Sequence, residues 1–265
     1  MITNHINQHP DLQGFSSYNY RRGPGKSGWR LYKFPNIDGQ FVSVTSTLGH
    51  IVHKELQNWM KTQSKNAQFK ILMESARIGT AIHKAIECDN DGLMPELVRE
   101  ETTRWDESGK QHDEKGFDIR KAFDNWLDLK AKHNIKSVYQ EMSVYDEDLQ
   151  IAGMFDMVGY FEGQPCLMDI KSGNQVSTTA SWQCAIYKYM FENLFKKQTG
   201  KDINLGLVIL HIQRDGDIFE AIHYPDTKRA LEGYVGALVT FRDLYKKELE
   251  EANWNGCNPL TILNN

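Results

Sequence analysis

From residue 137 onward the hydrophobic period of this chain switches from helical spacing to alternation. Ser137–Tyr145, Gln150–Phe161 and Pro165–Ile170 read as three strands, joined by tight turns at Asp146–Asp148 and Glu162–Gly163. A helix follows over Ser177–Phe195, and then the apolar run LGLVILHI marks a buried strand within Asn204–Ile212. An Asp215–Gly216 turn leads into a further strand, Ile218–Tyr224. A helix of this length between two strands suits a parallel crossover. The order is therefore a three-strand meander, a crossover helix and further strands. It predicts an α/β fold with a mixed central sheet flanked by helices on both faces.

The upstream half is helical by pattern. Ser43, Thr45 and Ser46 offer N-caps for a helix through Leu48, Ile51, Val52, Leu56 and Trp59. A longer helix spans about Ala67–Glu87, with Phe69, Ile71, Leu72, Ala76, Ile78, Ile82 and Ile86 at helical spacings. Residues 93–116 are highly charged and read as a surface excursion with a short helix. Asp118–His133 and Asp226–Ala252 read as further amphipathic helices. Before them all, residues 15–37 are aromatic and basic, and Trp29–Phe34 and Gln40–Val44 flank a hairpin turn at Asn36–Gly39. These features divide the chain into an N-terminal arm and hairpin (1–39), a main domain (40–252) and a tail (253–265).

Composition excludes some classes. No apolar run approaches the roughly 20 residues that span a bilayer, and the opening MITNHINQHPDLQG is polar, without a secretory or transit pattern. A cytoplasmic protein of a bacterial or phage-infected cell, with no membrane partner, is expected. The net charge of −4 does not advertise a nucleic-acid binder, but net charge averages over faces, and acidic metal ligands subtract from it.

The chemistry concentrates in Leu167-Met168-Asp169-Ile170-Lys171-Ser172-Gly173. Side chains alternate along a strand, so Asp169 and Lys171 leave one face while Met168 and Ile170 leave the other. On the preceding strand Asp156 stands among apolar neighbours, where a lone carboxylate is costly unless a cation or donor meets it. If the two strands pair, Asp156 and Asp169 converge on one hard cation of the Mg²⁺ type. Phosphodiester hydrolysis needs such a site, because a water must be deprotonated and charge on the phosphoryl oxygens neutralised.

The segments GMFDMV, LMDIK and Trp182-Gln183-Cys184-Ala185-Ile186-Tyr187 resemble the D…DxK…QxxxY series of RecB-type nucleases in the PD-(D/E)XK superfamily. Upstream, Gly79, His83 and Glu87 resemble their GxxxHxxxE helix. The order of motifs agrees over roughly residues 40–225, in the manner of RecB, AddAB, Cas4-like, mitochondrial genome maintenance and phage exonucleases. The resemblance implies that His83, Asp156 and Asp169 ligate Mg²⁺ or Mn²⁺, with the carbonyl of Ile170 completing the protein shell. It implies that Lys171 serves the nucleophilic water and that Glu141 is a further acid of the site. Gln183 and Tyr187, one helical turn apart, would contact the DNA backbone or support the lysine, and Thr80 would lie on the DNA-binding side. Some relatives hold an iron–sulfur cluster with four cysteines. Here Cys88, Cys166, Cys184 and Cys257 are scattered, and free thiols are expected.

The function implied is a divalent-metal-dependent DNA exonuclease, acting on single strands or free ends in recombination, repair or degradation. With no helicase motor in the sequence, a helicase or recombination protein would be a separate partner. A structure-specific endonuclease on the same core and a catalytically silent nucleic-acid-binding module are the alternatives. Arg21, Arg22, Lys26 and Arg30 would meet phosphates, while Tyr18, Tyr20, Trp29 and Tyr32 would stack on unpaired bases.

Overall fold

The structure is a computed structural model that describes residues 12, 15, 21–24, 29–51, 61–62, 64–105, 109, 111–251, 254, 256 and 258–264, with side chains at all of these except 21–24, 69, 104, 105, 112 and 264. Tyr18, Tyr20, Lys26, Cys257 and the expected helical positions Val52, Leu56 and Trp59 lie outside the described residues.

Strands β1 (Arg21–Pro24), β2 (Arg30–Lys33) and β3 (Phe41–Ser43) come first, followed by the short helix α1 (Val44–Leu48) and the long helix α2 (Lys65–Asn90). Two small ribbons follow, built from β4 (Val98–Arg99), β5 (Thr102–Trp105), β6 (Gln111–Glu114) and β7 (Phe117–Asp118). Then come α3 (Arg120–Lys132), β8 (Lys136–Asp146), β9 (Ile151–Phe161), β10 (Gln164–Lys171) and α4 (Thr178–Thr199). The chain continues through β11 (Gly206–Ile212), β12 (Phe219–His223), α5 (Thr227–Leu244), α6 (Lys246–Glu251) and a 3₁₀ turn at Pro259–Asn264.

The main sheet has eight strands. Its order is β1-β2-β3-β9-β10-β11-β12, with β8 paired to β9. β8, β9 and β10 form the expected antiparallel meander, and β10 pairs with β11 in parallel, from Cys166↔Gly206 to Lys171↔His211. The crossover between them is α4, which Gly200 ends in the left-handed conformation at φ +72°. One core lies between the sheet and α4 and α5, around Phe155, Leu167, Phe191, Ile209 and Phe241. The other lies between the sheet and α2 and α3, around Ile82, Trp126, Met157, Met168 and Leu210. The fold is the mixed α/β sheet flanked by helices that the sequence pattern predicts. Among the described residues no helix is long and apolar enough to cross a membrane.

Two local expectations change. Residues 93–116 form short ribbons, with no helix among the described ones; the alternation Thr102-Thr103-Arg104-Trp105 pairs with Gln111–Glu114 instead. The C-terminal helix breaks at Tyr245, whose ring packs 5.0 Å from Phe241 and 5.1 Å from Trp29. Leu12 and Phe15 are buried, and the Tyr139 hydroxyl donates to the Leu12 carbonyl. The hairpin β2–β3 forms as expected, and through it β1 joins the sheet edge. Trp29 packs on Phe241 and Tyr245, and Tyr32 is 2% exposed, so these two rings are core residues rather than platforms for bases.

Candidate active site

The site opens where β9 loses a neighbour. On the edge away from β8, β9 pairs with β3 at Ile151–Ala152 and with β10 from Met157 onward. Gly153–Asp156 have no strand partner on that edge, because β10 turns away after Met168↔Met157. The next ladder donor, the Ile170 N–H, is taken by Asp156 Oδ2 at 2.7 Å. A carboxylate thus replaces a main-chain carbonyl, and a buried N–H stays satisfied as the strands part. Asp156 Oδ1 is left facing outward from the fork.

Two further groups reach Asp156 Oδ1's side of the fork. On β8, register places Glu141 opposite Asp156, between Gln140↔Met157 and Met142↔Phe155. Glu141 holds φ at +49°, a left-handed conformation inside a strand. For a non-glycine residue this costs on the order of 1–3 kcal/mol and is characteristic of functional positions. From the other layer α2 supplies His83, whose Nδ1 is 3.6 Å from Asp156 Oδ1 and 3.9 Å from Glu141 Oε1. Its Nε2 lies 3.1 Å from the Ile170 carbonyl oxygen. A carbonyl only accepts, so Nε2 carries a proton, and in the neutral ring Nδ1 presents its lone pair to the carboxylates.

The helix is positioned by one stripe at four-residue intervals. Gly79 packs against Ser172, whose Oγ lies 3.0 Å from where a Cβ would stand. His83 meets Ile170, and the Glu87 carbonyl accepts from Gln140 Nε2 at 3.3 Å, beside Glu141. The Glu87 carboxylate instead pairs outward with Lys84 Nζ at 2.6 Å. The GxxxHxxxE pattern is therefore a packing stripe in which the histidine alone turns its side-chain chemistry toward the fork.

Asp169 and Lys171 stand beside this cluster, Lys171 Nζ being 2.6 Å from Asp169 Oδ2. Asp169 is buried, and burial together with Asp156 pushes its carboxyl up to about 6 against the pull of Lys171. Burial opposes the charge on Lys171, yet Asp169 and Asp156 hold its ammonium above the usual lysine range. Burial likewise opposes charge on His83, but Asp156, Glu141 and Asp169 together outweigh it and raise its pKa from 6.5 to about 9.

The tight ligand-like group is His83, Glu141 and Asp156, with one candidate atom from each lying within 4.8 Å of the others. Asp169, expected as a ligand, lies outside this tight group, with its Oδ2 2.6 Å from Lys171 Nζ. The main chain of Ile170 is occupied on both sides, by Asp156 and by His83. One imidazole nitrogen and two carboxylates at this spacing fit a divalent cation.

Of the other expected residues, Tyr187 is buried and its OH accepts from Gln183 Nε2 at 3.4 Å. Burial leaves Tyr187 no surface for the DNA contact that was one of the two expectations for it. Thr80 is exposed on α2, with its hydroxyl bonded back to the Ala76 carbonyl at 2.9 Å. Arg30 is exposed on β2, and Arg21 and Arg22 lie on β1, four strand positions from β10. Strand β9, which carries Asp156, is three positions from β1, so at about 4.8 Å per strand the main chain of these two residues runs roughly 14 Å from it. The sequence reading missed Cys184, a buried free thiol close to Asp169, whose burial pushes its pKa well above the ordinary range. It sits inside the Q…Y motif, where nothing but that position marks it.

A mixed sheet that parts around a His/Glu/Asp cluster, with a buried Asp–Lys pair alongside, has the parts required of a metal-dependent phosphodiester hydrolase. The sequence model of the PD-(D/E)XK nuclease superfamily matches residues 30–255, and the chain belongs to that superfamily. Its members are nucleases that use divalent metal ions, so its substrate is a nucleic acid. No curated protein matches the chain. Among solved structures, a protein from Eubacterium rectale described as a candidate exonuclease is similar at 12% identity and a TM-score of 0.37, over 67% of this chain and 68% of that one. That likeness is too slight to add to the assignment.

Proposed function

We propose that this chain is a Mg²⁺- or Mn²⁺-dependent DNA exonuclease that works on single strands or free ends, in recombination, repair or degradation. The observation that carries the reading is the meeting of His83, Glu141 and Asp156, groups from three separate elements, next to the Asp169–Lys171 pair. His83 Nδ1 and the free oxygens of Glu141 and Asp156 would hold the cation. When bound, the cation would supply Lewis acidity toward the phosphoryl oxygens and lower the pKa of water.

Lys171 orients the attacking water or meets charge as it develops on phosphate. Asp169 fixes the lysine, and Cys184 and Tyr187 back the pair from α4. Water gives up a proton as its oxygen bonds to phosphorus, the P–O bond to the leaving nucleoside breaks, and the leaving oxygen takes up a proton, so that one water is consumed for each bond cut. The intact set His83, Asp156, Asp169 and Lys171 counts against a silent binding module. The resemblance to RecB-like exonucleases supports DNA and free ends over other nucleic-acid substrates.

End-labelled single- and double-stranded DNA, linear and circular, tests the proposal in Mg²⁺, Mn²⁺ or EDTA. Progressive loss of linear DNA, sparing closed circles and abolished by EDTA, is expected. Cleavage of closed single-stranded circles would replace it with the endonuclease reading. Arg21, Arg22 and Arg30 are offered as phosphate contacts on the strands beyond the site. Alanine at all three would weaken single-strand binding and flatten its salt dependence, and unchanged salt titrations would remove them from the interface.

A further inference from the structure

The packing stripe of α2 continues one turn before Gly79. There Ser75 Oγ accepts a hydrogen bond from Arg214 Nη1 at 3.2 Å. The main-chain N–H of Arg214 is donated to the Ser172 carbonyl at 3.2 Å. Arg214 thus grips both the helix that carries His83 and the turn that follows Lys171. Three residues earlier His211, the register partner of Lys171, is 4% exposed. Its Nε2 lies 2.7 Å from the Gly173 carbonyl, which fixes the proton on that nitrogen, and its Nδ1 faces Glu220 Oε1 at 3.5 Å. Gln213 Nε2 reaches Asn174 Oδ1 at 3.4 Å. Ser172, Gly173 and Asn174 are each held by a residue at or just past the end of β11.

This grip answers a mechanical need. Where β10 leaves β9 it gives up ladder bonds on that side, just before the residues that do the chemistry. The turn after Lys171 contains a glycine, and its main chain would otherwise swing with the strand end. Among the described residues, no side-chain hydrogen bond joins Arg214 or His211 to the His83–Glu141–Asp156 cluster or to the Asp169–Lys171 ion pair.

We propose that His211 and Arg214 form a positioning clamp that fixes the Ser172–Asn174 turn against α2, and thereby sets Lys171 relative to the His83–Glu141–Asp156 cluster. The clamp rests on the nuclease reading only in that Lys171 is taken to serve hydrolysis. A displacement of about 1 Å in such a group costs about 100-fold in rate, and partners one shell out from metal ligands change affinity or activity by about 10- to 100-fold.

The test uses the full chain with Arg214→Ala, Ser75→Ala and the double variant, and separately His211→Leu and His211→Gln. Each of the first two is expected to lower kcat about tenfold with little change in KM. The double variant is expected to be no worse than either, because they cut the same link. His211→Leu is expected to lose about 100-fold in kcat, and His211→Gln, whose amide N–H can reach the Gly173 carbonyl, to recover most of it. Wild-type kcat in Arg214→Ala and Ser75→Ala, multiplying effects in the double variant, or a change confined to KM would overturn the clamp. If His211→Leu does not fold, the Ser75–Arg214 pair decides the matter.

Calorimetric titration with Mn²⁺ separates the clamp from the nuclease reading. Weaker Mn²⁺ binding in Arg214→Ala supports the clamp even if the wild type cleaves no DNA, a result that would sink the exonuclease proposal alone. Unchanged Mn²⁺ affinity in a non-cleaving protein overturns the clamp, and no Mn²⁺ binding by the wild type overturns both.

Discussion

His83 Nδ1 and Asp156 Oδ1 stand 3.6 Å apart while the opposite edge of the same imidazole is bonded to the Ile170 carbonyl at 3.1 Å. The ring is therefore pinned from behind and presented to carboxylates in front. Without a cation those carboxylates keep a proton on His83, raising its pKa to about 9. A cation at Nδ1 must displace that proton. Between about pH 6.5 and 8, metal binding is expected to release close to one proton, falling to about half near pH 9, with affinity rising about tenfold per pH unit at first and levelling above 9. The sign for stability is the reverse. A histidine with a raised folded pKa stabilises the metal-free protein fully below pH 6.5 and loses that contribution as pH climbs through about 9. Calorimetry in buffers of different ionisation enthalpy counts the proton, and a count near zero at pH 7.5 would refute the arrangement.

Glu141 and Glu87 give a paired prediction. Both are acids near His83, but Glu141 faces the ring at 3.9 Å while Glu87 pairs outward with Lys84. Glu141→Gln is expected to lower the His83 pKa and weaken Mn²⁺ binding by at least about tenfold. Glu87→Gln is expected to leave both close to wild type. NMR titration of the His83 ring and calorimetry read the two outcomes, and equal effects from the two variants would show that the left-handed residue on β8 has no special place.

The contrast also shows what the sequence could and could not disclose. Period alone gave the meander, the crossover helix and the parallel β10–β11 pair, because alternation and helical spacing follow directly from burial. Asp156, Asp169 and Lys171 were legible for a related reason, being charged residues in apolar strands. The breakage of β9 from β10, the outward turn of Glu87 and the engagement of Asp169 by Lys171 depend on where strands diverge and which rotamers pair. Those are tertiary facts without a local signature. Trp29 and Tyr32 misled for the same reason, since an aromatic beside arginines looks alike whether it packs on Phe241 or awaits a base.

Lys171→Met probes the buried ion pair. In the folded protein Asp169 is protonated below about pH 6, so the pair is fully charged only above it. Removing Lys171 lets burial and Asp156 push the Asp169 carboxyl higher still, so the folded variant holds its proton further into neutral pH than the wild type. The stability difference between the two is expected to be small at pH 5 and to grow as pH rises through 6 to 8, approaching the roughly 3 kcal/mol typical of a broken buried pair. Cleavage is expected to be lost at every pH. Melting curves across that range provide the check, and a difference independent of pH would mean that the pair is not ionised in the fold.

Gly153 is the residue on which the back wall of the site depends. A Cβ there would lie 2.7 Å from the Tyr187 hydroxyl and nearer still to its ring, so the ring occupies the space that any other residue would fill. Tyr187 is buried, with Gln183 bonded to its hydroxyl, and α4 has no room to retreat because Phe191 and Phe195 are packed in the core on the same helix. Gly153→Ala must therefore tilt the tyrosine or push β9 outward beside Asp156. Overpacking of this kind costs about 1–3 kcal/mol, and activity is expected to fall further than stability because the displaced strand carries Asp156. Tyr187→Phe leaves the ring in place and is expected to keep the fold and most of the activity. The double variant Gly153→Ala with Tyr187→Leu, which clears the space again, is expected to regain stability lost in the single. Thermal melts with parallel cleavage assays decide it, and a Gly153→Ala protein that melts and cleaves like wild type would show that the close approach of Tyr187 is dispensable.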